Sequence, residues 1–225
     1  MRTTLPRLVV IGAGGHGAEV AGYLQDLSRH GSAGEFVGYL DDDPAPQCRD
    51  APVIGGLSAL LDCPPAFFED LRYLTAMGNN ATRRRVVGTL ERLYGRRLTA
   101  WTLVHPSCCL GPQVEVGAGT CLAPGAIVTC RTRIGRHCIV NVKASVSHDC
   151  TVGDFVNLNP GVTVCGNVTI RDGAYIGAGA TIIERVSVGA GATVGAGSVV
   201  IRDVPPEVTV VGAPARIIKP HLVSV

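Results

Sequence analysis

The sequence predicts two joined folds: an α/β domain of half-Rossmann βαβαβ type over residues 1–98, then a parallel β-helix of hexapeptide repeats within residues 99–225. Three observations carry this. An unbroken apolar stretch, Leu8-Val9-Val10-Ile11, runs into Gly12-x-Gly14-x-x-Gly17. From Val104 to Val200 an aliphatic residue returns at every sixth position, seventeen times without a miss. Each of the first sixteen is followed four places later by a small residue, a rhythm that fits neither an amphipathic helix nor an ordinary hairpin.

Arg7 to Ile11 reads as a buried strand, since a run that is apolar on both faces needs cover on both. Gly12, Gly14, Gly15 and Gly17 let the backbone come close to a phosphate, and the helix that follows, Ala18 to Arg29, offers N–H groups to an anion. A second strand, Phe36 to Leu40, ends in Asp41-Asp42-Asp43, where an acidic side chain accepts hydrogen bonds from a ribose or a base. Val53-Ile54-Gly55-Gly56, the stretch Tyr73 to Asn79 and a helix from Ala81 to Tyr94 complete one βαβαβ half. A dinucleotide straddles two such halves, so one half suits a mononucleotide part, such as the nucleoside diphosphate of an activated sugar. The same glycines also serve a bare strand-to-helix turn, and spacing alone leaves both readings open. Thr99 to Leu103 reads as a connecting strand, and His105-Pro106-Ser107 opens the repeat.

Six residues make one short strand and a corner, so three hexapeptides close a triangular coil and each large aliphatic stacks on the one eighteen residues later. Gly119, Gly125, Gly161, Gly173, Gly179, Gly191 and Gly197 fall three places after the aliphatic, where a corner asks for positive φ. The sixteen units from Val104 to Val199 amount to roughly 25 Å of prism at the usual strand spacing.

Composition narrows the function classes. A net charge of +2 over 225 residues gives no nucleic-acid signal and no acidic-membrane signal. Nine cysteines occur without a Cys-x-x-Cys, and Cys108, Cys138 and Cys150 occupy the small inward position, so they read as reduced thiols acting as small hydrophobes. The start from Arg2 has a leader-like order of basic then apolar residues. It runs into the glycine loop rather than a cleavage site, and no stretch is apolar enough to span a membrane, which points to a soluble cytoplasmic protein.

Most corners of the repeat are bland, which makes the exceptions readable. Val146-Ser147-His148-Asp149-Cys150-Thr151 places an imidazole and a carboxylate side by side at one corner. A neutral imidazole there can take a proton from an attacking amine or hydroxyl; a solvated corner histidine is the other reading. The residue stacked on His148 is Gly166, followed by Asn167, which leaves a groove along that edge. His137 reads as a surface histidine beside Arg136. Arg131, Arg133, Arg136 and Lys143 read as solvated exterior.

The glycine loop, Leu40-Asp41-Asp42-Asp43, Gly78-Asn79, His105-Pro106-Ser107, Val146-Ser147-His148-Asp149-Cys150, Cys165-Gly166-Asn167-Val168 and Val210-Val211-Gly212-Ala213-Pro214-Ala215-Arg216 together resemble the bacterial nucleotide-sugar and sialic acid acetyltransferases of the hexapeptide superfamily. The resemblance covers nearly the whole chain. It implies a nucleotide-sugar-binding N-terminal domain, a left-handed β-helix, a homotrimer, and acetyl-coenzyme A lying between neighbouring prisms. It also implies roles: His148 as general base, Asp149 as its acidic partner, and Gly166 and Ala178 on the pantetheine arm. The loop Gly12, Gly14, Gly15, Gly17 with His16 would take the diphosphate, Asp41 or Asp42 the nucleoside, and Gly78 and Asn79 would line the same pocket. Some members place a second histidine nine residues after the base; here that position is Asn157, which can donate a hydrogen bond but cannot carry a proton, so the resemblance implies for it a role in positioning acetyl-coenzyme A.

The expected reaction is acetyl transfer to the amine of a nucleotide-linked dideoxyamino sugar for surface glycan synthesis, with no metal. O-acetylation of a sialic acid or similar sugar is the near alternative, and a non-catalytic sugar-nucleotide sensor the one of another class. A metal-dependent hydratase on such a prism needs three histidine ligands, and His105, His137 and His148 do not offer a matching set.

Overall fold

Leu8 to Ile11, each fully buried, form the middle strand of a parallel sheet, the position an unbroken apolar run requires. The computed structural model describes residues 5–32, 34–43 and 51–220; the leader-like Arg2 lies outside them. The chain divides into two compact units, Met1–Thr102 and Leu103–Val225.

In the first unit, strands β1 (Arg7–Ile11), β2 (Phe36–Leu40), β3 (Val53–Gly55), β4 (Leu71–Thr75) and β5 (Thr99–Ala100) form one sheet in the order β3-β2-β1-β4-β5, with every pair parallel. Helix α1 (Gly15–Arg29) joins β1 to β2 and helix α2 (Asn80–Tyr94) joins β4 to β5. The chain steps outward from β1 in one direction and then returns to the other side, so right-handed crossovers put the two helices on opposite faces. A crevice opens at the carboxyl ends of β1 and β4, the switch point of the sheet. Helix α1 buries Gly17, Val20, Ala21, Leu24 and Leu27, one stripe at helical spacing. The Asn79 side chain caps α2 by accepting the Thr82 N–H at 2.8 Å. The expected connecting strand is two strands: Thr99–Ala100 adds to the first sheet, and Leu103–Val104 begins the prism.

In the second unit each two-residue strand from Leu103–Val104 to Thr181–Ile182 pairs in parallel with the one eighteen residues on, as in Val128↔Val146↔Val164↔Ile182. Three faces result, and they run through Val128 and Val146, through Ile134 and Val152, and through Val140 and Leu158. These aliphatics are at most 1% exposed, and Ala126, Ala144, Ala174 and Ala180 beside them are fully buried. Each large side chain sealed in this way contributes about 1.5–3 kcal/mol. Leu110 departs from the expectation at 41% exposed, because Cys109–Leu110 is the edge strand of its face with a coil on one side only. After Val200 the rhythm stops, since Pro206 falls where the next aliphatic is due. Val210 instead stacks on Val194, and Arg216–Pro220 pairs antiparallel to Val208–Val211 at the end of that face.

The corners share one conformation. All fifteen positions from Gln113 to Gly197 at six-residue spacing have φ between 51° and 75°. Glycine is at ease there. Arg131, His137, Lys143, Asp149 and Phe155 are held there by the ladder on either side, at an intrinsic cost of about 1–2 kcal/mol each.

Candidate active site

His148 and Asp149 stand on the corner between the first and second faces of the prism. The backbone that places them is fixed by the coils above and below: the Asp149 N–H donates to the Cys130 carbonyl at 3.1 Å, and the Asn167 N–H donates to the His148 carbonyl at 3.0 Å. His148 Nδ1 lies 2.7 Å from Asp149 Oδ2. A carboxylate only accepts, so Nδ1 carries the proton and Nε2 keeps the lone pair in the neutral ring. The imidazole lies over Gly166, where an added Cβ would come 2.6 Å from Cε1 and 2.7 Å from Nε2. The missing side chain is therefore occupied by the ring itself, and the ring is 52% exposed, open to a substrate.

Arg131, read from the sequence as exterior, holds the other side of the couple. Its Nε donates to Asp149 Oδ1 at 2.7 Å and its Nη2 to Oδ2 at 2.9 Å. The Arg131 guanidinium, and after it the His148 imidazole, hold the Asp149 carboxyl well below the usual carboxylate range. Arg133 and Arg136 are also ion-paired across one coil, to Glu115 and to Asp154, each at 3.0 Å. The signal that finds all three is the eighteen-residue spacing. His137 is a correction: it is 4% exposed and stacks on the Phe155 ring at 5.1 Å, because aromatic side chains at equivalent corners one coil apart lie face to face.

The other two positions expected to touch acetyl-coenzyme A lie elsewhere on the prism. Asn157 is 2% exposed on the third face, and Ala178 is exposed at the corner between the third and first faces. Within one prism they do not meet the His148 corner. Cys138 and Cys150 sit inside, and the Cys150 thiol, pushed up by burial, donates to the Cys165 carbonyl at 3.1 Å. Among the described residues no group of three or more His, Cys, Asp or Glu is placed to hold a metal, and all eight cysteines there are free.

In the first unit the glycine loop lies at the carboxyl end of β1. Gly12, at φ 104°, approaches the Ala76 carbonyl so closely that an added Cβ would stand 3.0 Å from its oxygen. Cβ atoms built on Gly14 and Gly15 meet nothing within 4 Å. Among the described residues no side chain makes a cap hydrogen bond at the start of α1, the positive end of the helix. His16 turns Nδ1 to Glu19 Oε2 at 2.9 Å, and its Nε2 is buried without a hydrogen-bond partner. Asp41 braces the loop, with Oδ2 accepting the Ala13 N–H at 2.6 Å and Oδ1 the Asp43 N–H at 2.9 Å. Asp42 Oδ1 accepts the Leu57 N–H at 2.9 Å. Arg83, fully buried, donates to the Met77 carbonyl at 2.7 Å and so ties down the loop that carries Gly78 and Asn79.

A histidine–carboxylate couple on a hexapeptide corner, in a chain whose first strand ends in a glycine-rich turn, is the arrangement a group-transfer enzyme of the hexapeptide-repeat class would present. The PglD N-terminal domain family matches residues 7–90, and the bacterial transferase hexapeptide family matches residues 167–202. A GDP-perosamine N-acetyltransferase of Escherichia coli O157:H7 is 31% identical over 158 residues, 70% of this chain and 69% of that one. Among solved structures, the acetyltransferase domain of PglB from Neisseria gonorrhoeae, also solved in complex with acetyl coenzyme A, is 34% identical. The match covers 95% of this chain and 100% of that domain at a TM-score of 0.82. A mutant of the GDP-perosamine N-acetyltransferase of Caulobacter crescentus, in complex with CoA and GDP-perosamine, is 30% identical over 94% of this chain and 96% of its own, at a TM-score of 0.80. The chain belongs to the nucleotide-sugar acetyltransferase family, with a PglD-type N-terminal domain and a left-handed parallel β-helix. No helix among the described residues is long and apolar enough to cross a membrane.

Proposed function

We propose that the chain transfers the acetyl group of acetyl-coenzyme A to the amino group of a nucleotide-linked dideoxyamino sugar, in the cytoplasm and for surface glycan synthesis. The observation that carries this reading is the protonated His148 Nδ1 on Asp149, which leaves Nε2 as a base over the space beside Gly166. As the amine nitrogen attacks the thioester carbonyl, Nε2 takes the proton the nitrogen must lose; the C–S bond breaks and the proton passes to the departing thiolate. The products are an amide and free coenzyme A. Relatives named for GDP-perosamine support a guanosine diphosphate sugar as the first acceptor to try.

The loop of Gly12, Gly14, Gly15, His16 and Gly17 would receive the diphosphate at the open end of α1, with Gly78, Asn79 and Asp42 beside the nucleoside. Asp41 acts there by bracing the loop. Three copies would assemble side by side. Support comes from His148, half exposed in one copy although a base works best with water excluded, and from Ile127, 43% exposed on the first face. In such a trimer Asn157 and Ala178 of one copy would reach acetyl-coenzyme A held at the His148 corner of the next.

Thiol release from acetyl-coenzyme A, measured across uridine, guanosine and thymidine diphosphate amino sugars, tests the reading. Release with a hydroxylamine-resistant amide product supports it. Binding of the sugar nucleotide without thiol release makes the chain a sensor, and an ester product makes it an O-acetyltransferase.

A further inference from the structure

We infer that Arg131 is a positioning residue of the reaction: its bidentate grip holds the Asp149 carboxylate in the one plane that keeps His148 Nδ1 protonated and Nε2 aimed across Gly166. The inference rests on His148 being the base. Asp149 Oδ2 is shared, accepting from Arg131 Nη2 at 2.9 Å and lying 2.7 Å from His148 Nδ1, while Oδ1 is taken by Arg131 Nε at 2.7 Å. With both oxygens engaged by one planar fork, the carboxylate cannot rotate about its last bond without breaking a hydrogen bond. Without Arg131 it is held by the imidazole alone.

The backbone makes this grip rigid. Residues 131 and 149 occupy equivalent corners one coil apart, at φ 51° and 58°, and the ladder hydrogen bond from the Asp149 N–H to the Cys130 carbonyl ties the two corners together. A structural purpose for the pair is weak, because its side chains are 55% and 34% exposed and exposed ion pairs contribute little to stability. The pairs Arg133–Glu115 and Arg136–Asp154 span a coil in the same way, and neither of these carboxylates is hydrogen-bonded to His148.

The guanidinium also has an electrostatic effect. A lone carboxylate against an imidazole favours the imidazolium, which cannot act as a base; a cation on the carboxylate's far side offsets that pull. The other ionisable side chains of this corner are Cys130 one coil before and Cys165, Glu184 and Arg185 in the coils after it. The Arg185 N–H donates to the Gly166 carbonyl at 3.1 Å.

The test compares Arg131→Met and Arg131→Lys in the full-length enzyme, measuring kcat, both KM values and the pH profile of kcat/KM, with melting temperature as the fold control. Arg131→Met is expected to lower kcat about tenfold with KM values within about twofold, and to move the acid limb of the profile upward by about half a unit. Arg131→Lys should return the acid limb toward that of the parent, since the charge is restored, and recover kcat only in part, since the fork is not. In an Asp149→Asn background the kcat effect of Arg131→Met should vanish, because its target is gone. Unchanged kcat and acid limb in Arg131→Met overturns the inference. So does a rise in KM alone, which would make Arg131 a ligand contact, or an undiminished effect in the Asp149→Asn background. Turnover retained by His148→Ala would remove the base itself, and the inference with it. A dead His148→Ala beside an unaffected Arg131→Met would remove Arg131 only.

Discussion

The glycines of the N-terminal loop and the glycine beside His148 do opposite things. Around Gly14 and Gly15 the space a side chain would fill is open, and the backbone there belongs to a helix end at which no side chain among the described residues makes a cap hydrogen bond. At Gly166 the same space is filled by the His148 ring. In the first region the missing side chain leaves open space; in the second it makes room for the chain's own imidazole. A small residue therefore points to a ligand only after the chain's own neighbours have been tried as the occupant.

Four variants break or sharpen this contrast. The largest effect is expected from His148→Ala, which leaves the Gly166 space unfilled and the attacking nitrogen without a proton acceptor; thiol release should fall by about 10²–10⁴-fold with acetyl-coenzyme A still bound. Gly166→Ala comes next. Its Cβ would force the imidazole off its seat, and kcat should drop by up to about a hundredfold with the melting temperature little changed. Gly15→Ala addresses the other region: the new methyl meets nothing in the protein, so stability should hold or improve by about 0.5–1 kcal/mol, while KM for the sugar nucleotide rises about tenfold and that for acetyl-coenzyme A does not. If Gly166→Ala raised only a KM, or Gly15→Ala unfolded the chain, the contrast would be wrong.

The smallest effect concerns acid stability. Because its native partners depress the Asp149 carboxyl, the stabilisation it brings is complete above the ordinary carboxylate range near about pH 4 and is lost as the pH falls below it. Melting curves between about pH 5 and pH 2 should show the parent's advantage over Asp149→Asn shrinking on the acid side. The pair is exposed, so the difference should be slight. An advantage that grew toward low pH would contradict the pairing.

The sequence was most legible where one physical constraint repeats. Seventeen aliphatics at one spacing leave little choice of architecture, and the same stacking rule that set Gly166 over His148 was available for the arginines. Arg131 escapes it at first sight, since a lone arginine on a polar corner looks like any solvated cation until the coil is closed and its partner falls one layer away. His137 failed for a related reason. Its neighbour Phe155 is one coil on, and a ring with a ring above it leaves water even at a corner. In the N-terminal unit the alternation of strands and helices was readable, but the separate duties of Asp41 and Asp42 depend on which N–H each carboxylate meets, and no local pattern encodes that.

The uniform corner geometry has a consequence for how such a protein changes over time. Fifteen sites along the prism offer nearly the same backbone to whatever side chain occupies them, so a reactive group can be moved by a whole coil, up or down the axis, without rebuilding the scaffold around it. The prism behaves like a pegboard. Lengthening it by eighteen residues beneath any one corner would raise whatever side chain stands there by one coil, in one fixed step of about 5 Å.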